Sequence, residues 1–227
     1  MKGFTLVELM IAMAVTMVLM AAVYMAVNAA QRHSSAIEGK VSAQQDIKPA
    51  LDLMAMEIGM VSYNPLLADN LWVIPTGTCL DTSPNQIYRG IQEATTNSIV
   101  VEMDSGGAAD GVLNDANEVI RYNYDTVNQF ITRSTNCGTN QPFLGAATGS
   151  TRAVRVINDT LGLPVFRYYD GMGTEILIAG LPAGIPNIRR INITLAVETE
   201  NVDPDTNQRR RLIYSTSVIP RNHAIAN

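Results

Sequence analysis

Between Leu9 and Gln31 the chain runs for 23 consecutive residues without a charge. At about 1.5 Å of rise per helical residue, such a run covers roughly 34 Å, enough to cross a hydrocarbon core of about 30 Å. The stretch from Phe4 to Ala30, preceded by Met1-Lys2-Gly3, therefore governs how the rest is read. One charge interrupts it, at Glu8, near its start. A carboxylate at bilayer depth is costly and calls for a partner. No basic residue lies one helical turn away, so the expected partner is a chain terminus or another molecule.

A cut after Gly3 would give Phe4 an ammonium group four residues from Glu8. That separation is poor for a pair within one helix and better for staggered neighbours, the amine of one subunit meeting the acid of the next. Gly3-Phe4-Thr5-Leu6-Val7-Glu8 resembles the processing motif of type IV pilins and type II secretion pseudopilins. The resemblance implies that a prepilin peptidase in the inner membrane cuts between Gly3 and Phe4 and methylates the new N-terminal Phe4. It further implies that Glu8 serves assembly, and that the partners are other pilin subunits, major and minor, joined through the N-terminal helix. A secretory signal peptide cut near Asn28-Ala29-Ala30 fits less well, because its apolar core is usually about 7–15 residues long and carries no early acid. A plain signal anchor leaves Glu8 unexplained.

Lys2 on the short leader side favours a cytoplasmic N-terminus, which places the bulk of the chain outside the cytoplasm. The expected course is a single pass through the inner membrane with a periplasmic head, then the pilus or cell surface after assembly. Residues beyond the span suffice for one exported domain with its own core. A net charge of −5 offers no general basic surface, so no nucleic-acid partner is expected. Cys79 and Cys137 lie in Gly/Thr/Asn-rich stretches, and exported proteins form disulfides readily. A bridge between them would stabilise by roughly 4 kcal/mol in the chain-entropy model. The two histidines, His33 and His223, sit near opposite ends, which disfavours a histidine-based metal site.

Beyond Ala30 the apolar residues Ile37, Val41, Ile47, Leu51, Met54, Ile58 and Val61 recur at near-helical spacing. Arg32, Glu38, Lys40, Asp46, Asp52 and Glu57 belong to the opposite, wetted face. The reading is one helix of about 55 residues, apolar all round in its first half and amphipathic in its second. A kink is expected at Pro49 and an end before Asn64-Pro65. After a loop from Leu66 to Gln92 the period changes to two. Strands are expected at Ser98–Met103, Val119–Tyr124, Gln129–Arg133, Ala153–Ile157, Val165–Tyr169, Ile191–Glu198 and Arg210–Ile219. Short connections imply antiparallel neighbours. The fold class is α+β, a long helix against an antiparallel sheet. The division is residues 1–3 as leader, 4–30 as transmembrane and assembly helix, 31–63 as amphipathic half, and 64–227 as a β-rich head.

The segment from Leu51 to Tyr63 is similar to the helix end of PilW-type minor pilins and J-type pseudopilins. The closing hairpin ending Ser217-Val-Ile-Pro-Arg-Asn222 looks like their C-terminus. Such proteins, by that resemblance, are low-abundance subunits that prime a filament and sit at or near its tip. The tip-most class typically lacks the acid that Glu8 supplies, which points to packing beneath another subunit. A minor pseudopilin of a type II secretion system carries the same chemistry. A solitary membrane-anchored binding or adhesive domain is the alternative from a different class.

Asp110, Asn114, Asp115, Asn117 and Glu118 cluster oxygen donors near Gly111, a candidate calcium site. Their spacing departs from the EF-hand loop, and a solvated hairpin loop is the other reading. Arg189-Arg190 and Arg209-Arg210-Arg211 flank the last hairpin and could pair with Glu198, Glu200, Asp203 or Asp205, or with a neighbouring subunit. No G-x-S-x-G, P-loop, H-E-x-x-H or C-x-x-C pattern is present, and no enzyme or cofactor is expected.

Overall fold

The computed structural model describes residues 3–73, 86–105, 110–145, 154–181, 183–203 and 206–224. Its axis is α1, Leu6–Gly59, a helix of 54 residues that keeps Pro49 inside it. At about 1.5 Å per residue it is roughly 81 Å long. Ala, Met, Leu, Glu and Gln dominate its sequence, all strong helix formers. It begins at Thr5, whose extended backbone and side chain form a capping box with Glu8, and it is closed by Met60.

Burial begins only at Ala36 and then follows Ala43, Ile47, Ala50, Leu51, Met54 and Ile58, steps of three, four and seven residues apart from the adjacent pair Ala50-Leu51. The alanines bring the helix backbone close to the sheet, and the larger side chains fill the core. Ile37 and Val41, expected on this face, are 62% and 43% exposed. They lie one residue or half a turn off the buried stripe. Glu57, expected in water, is buried.

Two antiparallel sheets replace the single sheet expected. The first is a meander in chain order: β1 (Ile91–Ala94), β2 (Ser98–Glu102), β3 (Val119–Asp125), β4 (Phe130–Thr135) and β5 (Gln141–Leu144). The second contains β6 (Val154–Val156), β7 (Phe166–Tyr169), β8 (Glu175–Ile176), β9 (Arg190–Val202) and β10 (Arg209–Val218). Its order is β10-β9-β7-β8, with β6 also on β9. In β9, Ile191, Ile193, Leu195 and Val197 all point into the core, as period two requires.

α1 packs on β9 and β10 and reaches β5. One hydrophobic cluster joins the helix to both sheets, from Ile47 and Met54 through Ile99 and Tyr122 to Phe166 and Ile193. Tyrosine hydroxyls tie the sheets together: Tyr124 donates to the Val156 carbonyl at 2.9 Å and Tyr168 to the Thr95 carbonyl at 2.8 Å. A smaller apolar cluster of Leu71, Trp72, Val100, Leu113 and Val119 includes β2 and β3 residues and the two loop segments that cover them.

Candidate functional site

The N-terminal segment stands free of the head. Gly3, Phe4 and every residue from Leu6 to Val27 are exposed, Phe4 to 90%. The helix contains an 18-residue window with a mean hydropathy of 2.4, none of it buried, and is long and apolar enough to cross a membrane. Within its first turn, the Thr5 amide and hydroxyl both donate to Glu8 Oε2 at 2.9 Å. The Glu8 amide donates back to Thr5 Oγ1 at 3.3 Å. The acid therefore has hydrogen-bond partners inside its own chain, neutral ones rather than the base its charge calls for. The Thr-x-x-Glu spacing of a capping box was the signal. Both donors are neutral, so the carboxylate's charge is hydrogen-bonded but has no counter-ion within its own helix.

The opposite end of α1 is pinned by a buried cluster. Glu57 Oε1 accepts from Arg133 Nη2 at 2.6 Å, and its Oε2 accepts from Arg133 Nε at 3.1 Å and from the Tyr122 hydroxyl. The fork of the guanidinium on the carboxylate fixes both direction and height of the helix on β3 and β4. Burial, then the charge of Glu57, pushes the Tyr122 phenol far up, so it remains a donor. Arg133 Nη2 also donates to Asn117 Oδ1 at 2.9 Å, tying in the loop before β3.

That hydrogen bond bears on the candidate calcium residues. Asn117, at φ +67°, is engaged with Arg133. Glu118 is wholly buried and accepts the Asp115 amide at 2.7 Å. Asp110 is exposed and accepts the Val112 amide at 3.0 Å, and Asn114 is exposed. The side chains thus shape the loop, and among the described residues no three His, Cys, Asp or Glu side chains gather as metal ligands. Cys137 is disulfide-bonded, whereas Cys79 lies outside the described residues.

The arginines of the last hairpin are paired within the head. Arg209 approaches Glu198 and Glu200 at 3.9 and 3.6 Å, and Arg210 holds Asp203 at 2.8 Å. Arg211 lies 3.5 Å from Glu198, and Arg190 stacks 4.4 Å above the Tyr169 ring. The Arg189 guanidinium caps the Pro186 and Ile188 carbonyls, both at 2.8 Å. They form no single anionic-ligand patch.

His223, near the C-terminal end of the chain, is wholly buried. Its Nδ1 lies 2.9 Å from the Arg89 carbonyl and 3.0 Å from Ser62 Oγ, and its Nε2 lies 2.9 Å from the Ile185 carbonyl. Burial holds its pKa below the usual imidazole value against the pull of those carbonyls. The Ser62 hydroxyl donates to the Arg89 carbonyl, and a carbonyl stands where a catalytic pair would have an orienting carboxylate. The arrangement latches the C-terminal turn, Asn222–Ala224, to the chain that follows α1.

Residues 1–24 match the prokaryotic N-terminal methylation motif. The match covers the leader-like start and the first part of the apolar helix, and it supports a type IV pilin-like protein. No curated protein and no solved structure gives a significant match.

Proposed function

We propose that the chain is a minor subunit of a type IV pilus, cut between Gly3 and Phe4 and N-methylated on Phe4. It waits in the inner membrane with its head on the outer side, then joins the filament and takes part in priming it near the tip. One observation carries the reading: the matched motif heads a helix whose residues from Leu6 to Val27 are all exposed. An apolar surface of that extent requires lipid or other helices. The same surface serves both stations, lipid before assembly and neighbouring pilin helices after it. The head is large for the repeating unit of a tight helical array, which favours a minor place. Glu8 favours a position beneath another subunit rather than at the extreme tip. The bridge that holds Cys137 is assigned to Cys79, stabilising the head after export.

The test is to shear filaments from cells and search them for this chain by mass spectrometry. The reading expects low abundance, a mature chain starting at N-methylated Phe4, and loss of piliation on deletion. A chain that retains Met1, or one that never enters filaments and whose loss leaves them unchanged, overturns it. Recovery with a secretion pseudopilus instead would reassign the machine and keep the chemistry.

A further inference from the structure

A cavity of about 420 Å³ opens at the end of the head where α1 terminates, far along the helix axis from the membrane half. Its wall comes from the chain that follows the helix, Ser62 to Trp72, together with Gln86, Arg89 and Asn222. The volume lies within the range of small-molecule sites, about 300–1,000 Å³.

The backbone around it is unusual. Four of its lining residues, Ser62, Leu67, Asn70 and Arg89, are non-glycine residues with φ between +48° and +63°. Such conformations persist only where the surroundings enforce them. Here the Ser62 amide donates to the Glu102 carbonyl at 2.9 Å, and the Asp104 amide to the Tyr63 carbonyl at 2.8 Å. The Asn64 side chain brackets both polar groups of Ala68, and the Gln86 amide donates to the Trp72 carbonyl at 2.8 Å. Leu67 is the telling member: it takes the left-handed conformation yet leaves its side chain 69% exposed, so no burial offsets the strain.

While Asn64 and Gln86 are spent on the wall, other polar groups are not. The side chains of Tyr63, Asp69, Asn70, Arg89 and Asn222 have no hydrogen-bond or ion-pair partner among the described residues. They offer a carboxylate acceptor, a guanidinium donor, two amides able to do both, and a phenol. Exposed apolar faces of Leu67 and Tyr63 stand beside them. Hydroxyl groups that each donate and accept, set around a ring with apolar C–H faces, satisfy that whole set.

From this we infer that the cavity binds a neutral mono- or disaccharide, with Asp69 and Arg89 holding hydroxyls from opposite charges and Tyr63 against the sugar face. The inference rests on the cavity alone and stands apart from the filament reading.

The chain carries one tryptophan, Trp72, and it lines the cavity. The full chain in detergent is titrated with maltose, lactose and diacetylchitobiose to about 20 mM, well above a 1 mM Kd, with Trp72 fluorescence as the readout. The expected result is a saturable change with at least one sugar. Asp69→Ala and Tyr63→Ala should each weaken it at least tenfold, with unchanged thermal unfolding. No saturable response to any of the three overturns the proposal. So does an equal response in both variants, and so does a Trp72 response to a second pilin-type subunit without one to sugar, which would make the cavity a protein contact.

Discussion

Glu57 illustrates why a charge on a helix is a poor guide to its surroundings. Amphipathic spacing assigned it to water, yet it lies on the side of α1 that meets Tyr122 and Arg133. The partner arginine, 76 residues away, and the Tyr122 hydroxyl make that burial tolerable, and helix periodicity contains no information about either. Removing one member of such a pair strands the other. Glu57→Ala should cost about 3 kcal/mol or more, read as a lower unfolding midpoint of the full chain. Pairing it with Arg133→Met should recover part of that loss through coupling. Additive losses would mean that the two side chains act separately.

Glu102 offers a second test at the same scale. Burial pushes its carboxyl up to about 8, against hydrogen bonds from Gln92 and from the Val73 amide. The folded chain keeps this proton, while the unfolded chain gives it up near 4.5. Stability from this group is therefore complete below pH 4.5 and falls as pH rises toward 8. His223 works in the opposite direction, losing stability as pH drops below 6.5, so the window from pH 6.5 to 8 separates them. Wild type should lose thermal stability across that window relative to Glu102→Gln. Parallel profiles would place the proton elsewhere.

At the scale of elements, the strands rich in β-branched and aromatic residues were legible, β9 with its alternation most cleanly. β1 and β5 were not: Ile91–Ala94 straddles the end of the loop expected from Leu66 to Gln92, and Pro142 in β5 reads as loop. Pro142 is compatible with a ladder because β5 is an edge strand. The division of the strands into two sheets was equally hidden, since it depends on which long-range pairs form. For α1 the expected stripe is buried at Ile47, Leu51, Met54, Ile58 and Val61 but not at Ile37 and Val41, where Ala36 and Ala43, too small to stand out, carry the buried line instead. The phase can be tested directly. Ile47→Ala, in the core, should cost about 2–5 kcal/mol. Val41→Ala, half exposed six residues earlier, should stay within about 0.5 kcal/mol. Similar losses at both positions would mean that the helix is rotated from the placement described here.

Taken whole, the molecule is a head fixed to the second half of a helix whose first half is exposed. That separation makes the two ends testable apart, and Glu8 is where they diverge. Its capping box with Thr5 stabilises the first turn, but the residues that hold the head begin only at Ala36. A change at Glu8 should therefore leave the head's unfolding unaltered. Two roles are to be separated at this acid: closing the helix end, seen in the capping box, and the proposed one of presenting a negative charge to the amine of a neighbouring chain. Glutamine at this position keeps the capping geometry and discards the charge. If assembly depends on the charge, Glu8→Gln should enter filaments as poorly as Glu8→Ala. Thr5→Ala, which loosens the cap and keeps the acid, should enter better than either. Measured by quantitative mass spectrometry of sheared filaments, wild-type incorporation of Glu8→Gln would show that the acid is there to end the helix. The pairing of subunits would then have to come from elsewhere in the apolar surface.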